Sequence, residues 1–223
     1  VQKVSISLRH PVKTYCGGFY PFISMMLALN PLSFAVHAAP NPDGLIDAVE
    51  KQSREYSNKR QWAKAQTGYK RILEIRQKQW GRDDYRLVGP INDVVRVTCV
   101  DGKCADTVPY LNDLLRIRLK KLGHRNADVA TTYALIAEAS EKMNRYEEAL
   151  INFRQAVEIR DQLFGKTAEI SLRTRTNLIR VALKKKDKAA ARKTLQECQT
   201  LLSATREPRP EMEKLLSYFA AKL

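Results

Sequence analysis

The chain has 223 residues, 44% of them hydrophobic and 28% charged, with nine glycines and nine prolines. That is enough apolar material to bury a core of ordinary domain size, and too little Gly and Pro for a loop-rich or disordered chain. The formal net charge of +15 favours acidic partners (acidic proteins, anionic lipid heads or nucleic acid), or else it solvates exposed helix faces, since the longest basic run is Lys184-Lys185-Lys186.

The first segment reads as a leader. It carries Lys3, Arg9 and Lys13 and no acid, then an apolar stretch, Phe22-Ile-Ser-Met-Met-Leu-Ala-Leu29, then the breaker pair Asn30-Pro31. Val36 and Ala38 are the small residues that a signal peptidase requires three and one positions before its cut. Residues 1–38 are therefore expected to be a secretory signal, followed by a short linker at 39–42, which implies a secreted or periplasmic protein. The alternative is an uncleaved anchor over residues 19–36. Pro21 and Pro31 interrupt that stretch, however, and a spanning helix needs about 20 apolar residues.

Beyond the leader the sequence repeats. Leu73-Glu-Ile-Arg-Gln-Lys-Gln-Trp-Gly81, Leu115-Arg-Ile-Arg-Leu-Lys-Lys-Leu-Gly123 and Val157-Glu-Ile-Arg-Asp-Gln-Leu-Phe-Gly165 align without a gap. Each glycine follows an amphipathic run, where a helix end calls for a left-handed residue. The register then predicts a core. Ala65, Thr107, Ala149 and Ala191 form a small column. Tyr69, Leu111, Phe153 and Leu195 form a large apolar column four residues on, and Ile72, Leu114, Ala156 and Cys198 a third column three further. Spacings of four and seven put these positions on one helix face, where the small residue admits a neighbouring helix and the large one fills the gap.

A second helix precedes this one in each copy. In the third copy it runs from about Asp128 through Tyr133, Ile136 and Ala137 to Asn144, and a turn leads into Tyr146-Glu-Glu-Ala149. Helix, turn and helix repeated in series describe an all-α, right-handed α–α solenoid. The expected copies span 43–81, 84–123, 126–165 and 168–204, making a repeat domain over 43–206. A last helix at 207–223 places Met212, Leu215, Leu216, Phe219 and Leu223 on one face, as a cap over the exposed end.

Ala149, Phe153 and Ala156, with Ala137 on the partner helix, resemble the tetratricopeptide signature. Asp128-Val-Ala-Thr-Thr, Arg145-Tyr-Glu-Glu-Ala-Leu and Val157-Glu-Ile-Arg resemble the kinesin-light-chain type of that repeat, which has many bacterial relatives. The resemblance covers about residues 43–204 and is strongest in the third copy. It implies a protein-binding module, with a concave groove lined by the first helix of each copy, in which Asn and basic side chains hold an extended peptide. The equivalent positions here are Asn92 and Arg96 in copy two, and Arg173, Asn177, Arg180 and Lys184 in copy four. Copy three offers Ala134, Leu135 and Glu138 instead and departs from the Asn pattern. Asn can pair with a peptide amide through both donor and acceptor, and Arg can fork onto a carboxylate. Together they point to an acidic or C-terminal peptide.

Copy two departs from the repeat. Pro90 and Pro109 fall near the starts of its two helices, so each helix is expected to begin close to its proline. Its turn reads Cys99-Val-Asp-Gly-Lys-Cys104. Cys104 stands in the column of Trp62, Tyr146 and Lys188. Two cysteines flanking one tight turn in an exported protein predict a Cys99–Cys104 disulfide. Two unrelated thiols or a redox pair are the other readings, although a redox pair is usually spaced Cys-x-x-Cys. Cys198, in a core column, reads as a packed thiol.

No phosphate-cradling Gly-rich loop, Gly-x-Ser-x-Gly elbow or His-Glu-x-x-His motif is present. His124 stands in an inter-repeat turn, and three cysteines with one distant histidine make a poor zinc set. The expectation is a non-enzymatic exported adaptor or scaffold without metal or cofactor, binding a protein or peptide segment. The alternative is a basic-surface binder of nucleic acid, another anionic polymer or a membrane surface. Few aromatics are interleaved with the basic residues to stack on bases.

Overall fold

The computed structural model describes residues 42–205 and 208–223. The expected leader at 1–38 and the possible anchor at 19–36 lie outside the described residues. Among those described, every regular element is helical. They are α1 (Pro42–Asn58), α2 (Trp62–Trp80), α3 (Val88–Val100), α4 (Val108–Leu122), α5 (Ala127–Lys142), α6 (Tyr146–Phe164), α7 (Glu169–Lys184), α8 (Lys188–Ser203) and α9 (Pro210–Ala220), with short 3-10 turns at Tyr85–Leu87 and Cys104–Thr107. The helices pack in chain order, each against the next, and α9 also touches α7. None is long and apolar enough to cross a membrane.

Two kinds of turn recur in register. Within each pair, the first helix closes on a residue of positive φ: Arg60 (56°), Gly102 (79°), Asn144 (59°) and Lys186 (66°). Around each, one pair of hydrogen bonds repeats. The Asp187 N–H donates to the Ala182 carbonyl (2.9 Å) and the Lys186 N–H to that of Leu183 (3.0 Å). Arg145 to Ser140, Lys103 to Thr98 and Gln61 to Tyr56 complete the same pattern. This is a Schellman closure, which satisfies carbonyls that a helix end leaves orphaned.

Between pairs, the second helix ends at Gly81, Gly123 or Gly165, with φ of 83°, 75° and 90° and ψ of 160°, 174° and 155°. That region of backbone space is essentially open to glycine alone, which is why these glycines keep an unbroken spacing. The extended ψ turns the chain away from the helix axis, and the next first helix begins a few residues on.

The three columns form the interior. Ala65, Thr107, Ala149, Ala191, Leu114, Phe153, Ala156 and Cys198 are inaccessible to solvent, and Tyr69, Ile72, Leu111, Leu195 and Ala137 are buried. The small column lets the two helices of a pair approach, and the large side chains fill the space between them. In copy two the helices begin at their prolines: α3 two residues before Pro90 and α4 one before Pro109. A 3-10 turn replaces the missing first turn of each, because proline can sit in a helix only where its absent N–H is not needed.

α9 repeats the position of a first helix. Glu211 stands one repeat period after Glu169, the first residue of α7, and Met212, Leu216 and Phe219 bury against Leu172, Ile179, Leu195 and Leu202 of the last pair.

Candidate binding groove

The first helices of neighbouring pairs, α5 and α7, meet through charge. Glu141 lies on α5 with a side chain only 3% exposed, and it accepts from Arg180 (2.7 Å) and Lys184 (2.8 Å) of α7. Arg180 also donates to Asn177 Oδ1 at 3.1 Å. Three of the six groove positions thus form one cluster, built on consecutive turns of α7 around a buried carboxylate. Glu138, one turn before Glu141, keeps accessible surface, but protein replaces much of the water around it. That desolvation raises its carboxyl above the usual carboxylate range, against the opposing charge of Arg180.

The other positions stand apart. Arg173 is exposed, reaches Glu169 at 3.4 Å and borders a separate recess against Pro208, Arg209 and Met212 at the start of α9. Asn92 and Arg96 are on α3, with one whole repeat between them and α7. Arg96 donates to Asp93 (3.0 Å) and lies over the Tyr69 ring (5.7 Å). The Asp93 hydrogen bond, foremost, holds its guanidinium above its ordinary value. In copy three, Ala134 is buried and Leu135 half-buried, so the middle of the face is apolar apart from Glu138 and Glu141.

Sequence reasoning missed Glu141. Its signal was a second acid, three residues past Glu138 in the run Ile136-Ala-Glu-Ala-Ser-Glu141, near the end of α5. It also missed the role of the repeated Ile-Arg. Arg118 is buried and donates to Thr132 Oγ1 (2.7 Å) and the Asp128 carbonyl (3.2 Å). Arg160, one period later, donates to Thr174 Oγ1. Each pair ties the second helix of one copy to the first helix of the next. In copy one the matching Arg76 meets Pro90 in the hydroxyl's register position and instead reaches Asp43 (2.7 Å) and stacks on Trp80 (4.6 Å). A buried ion pair supplements this tie between copies three and four. Arg175, 4% exposed, donates to Asp161 (2.9 Å) and Glu197 (3.1 Å). Burial alone would lower its guanidinium, but the Asp161 hydrogen bond and charge, with Glu197, outweigh it and hold it above its usual value.

Cys99 and Cys104 stand with their sulfurs at disulfide-bonding distance and their Cα atoms 4.1 Å apart, and Lys142 Nζ of copy three is 3.0 Å from Cys104 Sγ. Cys198 is a free, fully buried thiol that burial pushes up to about 11. Among the described residues, no group of three or more His, Cys, Asp or Glu is placed to hold a metal ion.

Paired helices packed in series define a helical-repeat protein. The tetratricopeptide-repeat family model matches residues 92–162. Residues 92–162 thus carry tetratricopeptide repeats, and the fold of the described chain is similar to that of kinesin-light-chain-type repeat proteins. A Podosopora anserina protein described as a kinesin light chain of nearly identical TPR-like repeats superposes with a TM-score of 0.62 at 16% identity, covering 82% of this chain and 96% of that one. BtubC (BKLC) from P. vanneervenii gives 0.60 at 18% identity over 76% of this chain and 68% of that one. The apo form of RapI gives 0.56 at 13% identity, over 82% of this chain and 54% of that one. No curated protein sequence matches the chain.

Proposed function

We propose that this protein is a non-enzymatic scaffold that holds an acidic peptide or protein segment along the face formed by its first helices. Tetratricopeptide repeats suggest protein–protein interaction in general. The finer reading is carried by the α7 cluster, where Asn177, Arg180 and Lys184 gather with one carboxylate between two cations. A carboxylate on a partner would find Arg180 already oriented by Glu141 and Asn177, so little side-chain entropy remains to be lost on binding.

The test is capture of partners from the native source on the immobilised protein, compared with an Asn177→Ala/Arg180→Ala double variant. Lys184 still neutralises Glu141 in that variant, so helicity by circular dichroism is expected to hold while the partner is lost. A partner retained by the double variant would place binding elsewhere.

The leader reading of residues 1–38 and the paired cysteines favour action outside the cytosol. The expected N-terminus of the purified native protein is Ala39. A chain that retains residues before it counts against cleavage.

A further inference from the structure

An open cavity of about 910 Å³ lies between α7, the start of α8 and α9. Its cations are Arg180 and Lys184 on α7, Lys186 in the turn, Lys188 at the head of α8 and Lys222 just past α9, and no carboxylate lines it. Its apolar surface comes from Leu183, Leu215, Tyr218 and Phe219. Phe219 is buried and fixed against the last repeat. Tyr218, 54% exposed, meets it edge-on with ring centres 5.5 Å apart.

The charge here is unbalanced. Along the rest of the chain many basic residues have an acid within reach: Arg54 has Glu50, Arg116 has Asp83 and Asp113, and Lys185 has Glu147 and Asp187. At this cavity Glu141 pairs with Arg180 and Lys184, and Glu138 adds a second opposing charge near Arg180. Lys188 reaches a main-chain oxygen of the last residue, Leu223 (3.3 Å), and Lys222 lies over the Tyr218 ring (4.5 Å). Among the described residues Lys186 and Lys222 form no ion pair with an Asp or Glu side chain. A recess with a fixed apolar floor and a rim of one sign concentrates field and excludes like-charged partners.

Resting on the reading of this chain as a protein-interaction scaffold, we propose that the cavity binds an acidic segment of a partner protein. One bulky apolar side chain of that segment sits on Leu183, Leu215, Tyr218 and Phe219, and its carboxylates meet the lysine rim. A nucleic acid supplies the charge but no aliphatic side chain for the Leu183–Leu215 floor. A bilayer supplies a broad charged plane, whereas this apolar surface lies inside a recess. A single side chain flanked by acids matches both features.

The probe is a fluorescein-labelled peptide of several glutamates followed by leucine and phenylalanine, titrated with the full chain and read by anisotropy. Saturable binding that weakens as salt rises is expected. Replacing the leucine and phenylalanine by alanine should weaken it about tenfold or more, as burial of such side chains requires. The Lys186→Glu/Lys222→Glu variant, altered at exposed positions only, should lose about tenfold with unchanged helicity, and Tyr218→Ala should weaken binding in the same direction. Absence of peptide binding overturns the proposal. So does equal affinity in the variants, or capture by phosphatidylserine vesicles or single-stranded DNA in place of the peptide. A native partner that stays with Lys186→Glu/Lys222→Glu but is lost with Asn177→Ala/Arg180→Ala overturns this site and leaves the scaffold reading standing.

Discussion

At the scale of single residues, the α5–α7 cluster is asymmetric in burial, and that decides what its mutation does. Glu141 is 3% exposed, whereas Arg180 and Lys184 are 39% and 52% exposed. Removing the carboxylate frees two cations that water can solvate. Removing both cations strands a buried charge, which is the costly direction. Glu141→Gln is therefore expected to change stability by about 1 kcal/mol or less, and Arg180→Ala/Lys184→Ala to cost about 3 kcal/mol. Urea denaturation of both variants checks the order; equal losses would mean that the carboxylate is not the group at risk. Cys198 offers a second single-residue outcome. Burial raises its thiol from 9.0 to about 11, so the folded state disfavours the thiolate. Its contribution is intact below pH about 9 and is lost as pH rises towards about 11. Stability measured across that window should fall less steeply in Cys198→Ala than in the parent chain, and parallel curves would exclude the thiol as a source of the alkaline decline.

At the scale of elements, the joint between one repeat and the next is a hydrogen bond from a fixed arginine to a threonine. Arg118 is buried and keeps its Nε unpaired, so it depends on Thr132 and the Asp128 carbonyl. Thr132→Val removes the better acceptor and should cost about 2 kcal/mol. Thr174→Val, facing the half-buried Arg160, should cost less. Chemical denaturation of the pair gives the comparison, and the reverse order would deny that burial sets the strength of the joint. The arginine was visible in the sequence as part of a repeated Leu/Val-x-Ile-Arg, but only as a marker of register, because its partner lies on another helix. The glycines at the second helix ends were legible because only glycine fits their backbone. The first-helix ends were not, since Arg60 and Lys186 hold the same positive φ as Gly102 and Asn144 and carry no turn signature. There the Schellman bonds and the packed pair impose the conformation on whatever residue arrives. Glu141 stayed hidden for a related reason: an acid at a helix end ordinarily reads as solvated, and only the next repeat's cations explain its burial.

At the scale of the whole molecule, helices that pack mainly on their neighbours in sequence make stability a chain of local terms. Copy two is where that chain is thinnest: α3 has 13 residues against 16 to 19 in α5 to α8, and 3-10 turns stand in for lost helical turns. Cys99 and Cys104, at disulfide distance, flank the turn that joins its two helices, and a bond closing so short a loop would be worth about 2 kcal/mol in the unfolded-chain account. Reduction should therefore act locally. Amide exchange is expected to rise in α3, the Cys104–Thr107 turn and α4. It should also rise at the end of α5, where Lys142 contacts Cys104 at 3.0 Å. Amides of α7, α8 and α9 should exchange as before. Cys99→Ser/Cys104→Ser should reproduce that map without reductant. If exchange rose evenly through α9, the repeats would be opening as one cooperative unit, and the groove cluster on α7 would then depend on a bond two repeats away. If it stayed confined to copy two and the end of α5, the cavity between α7 and α9 keeps its shape whatever the redox state of the turn.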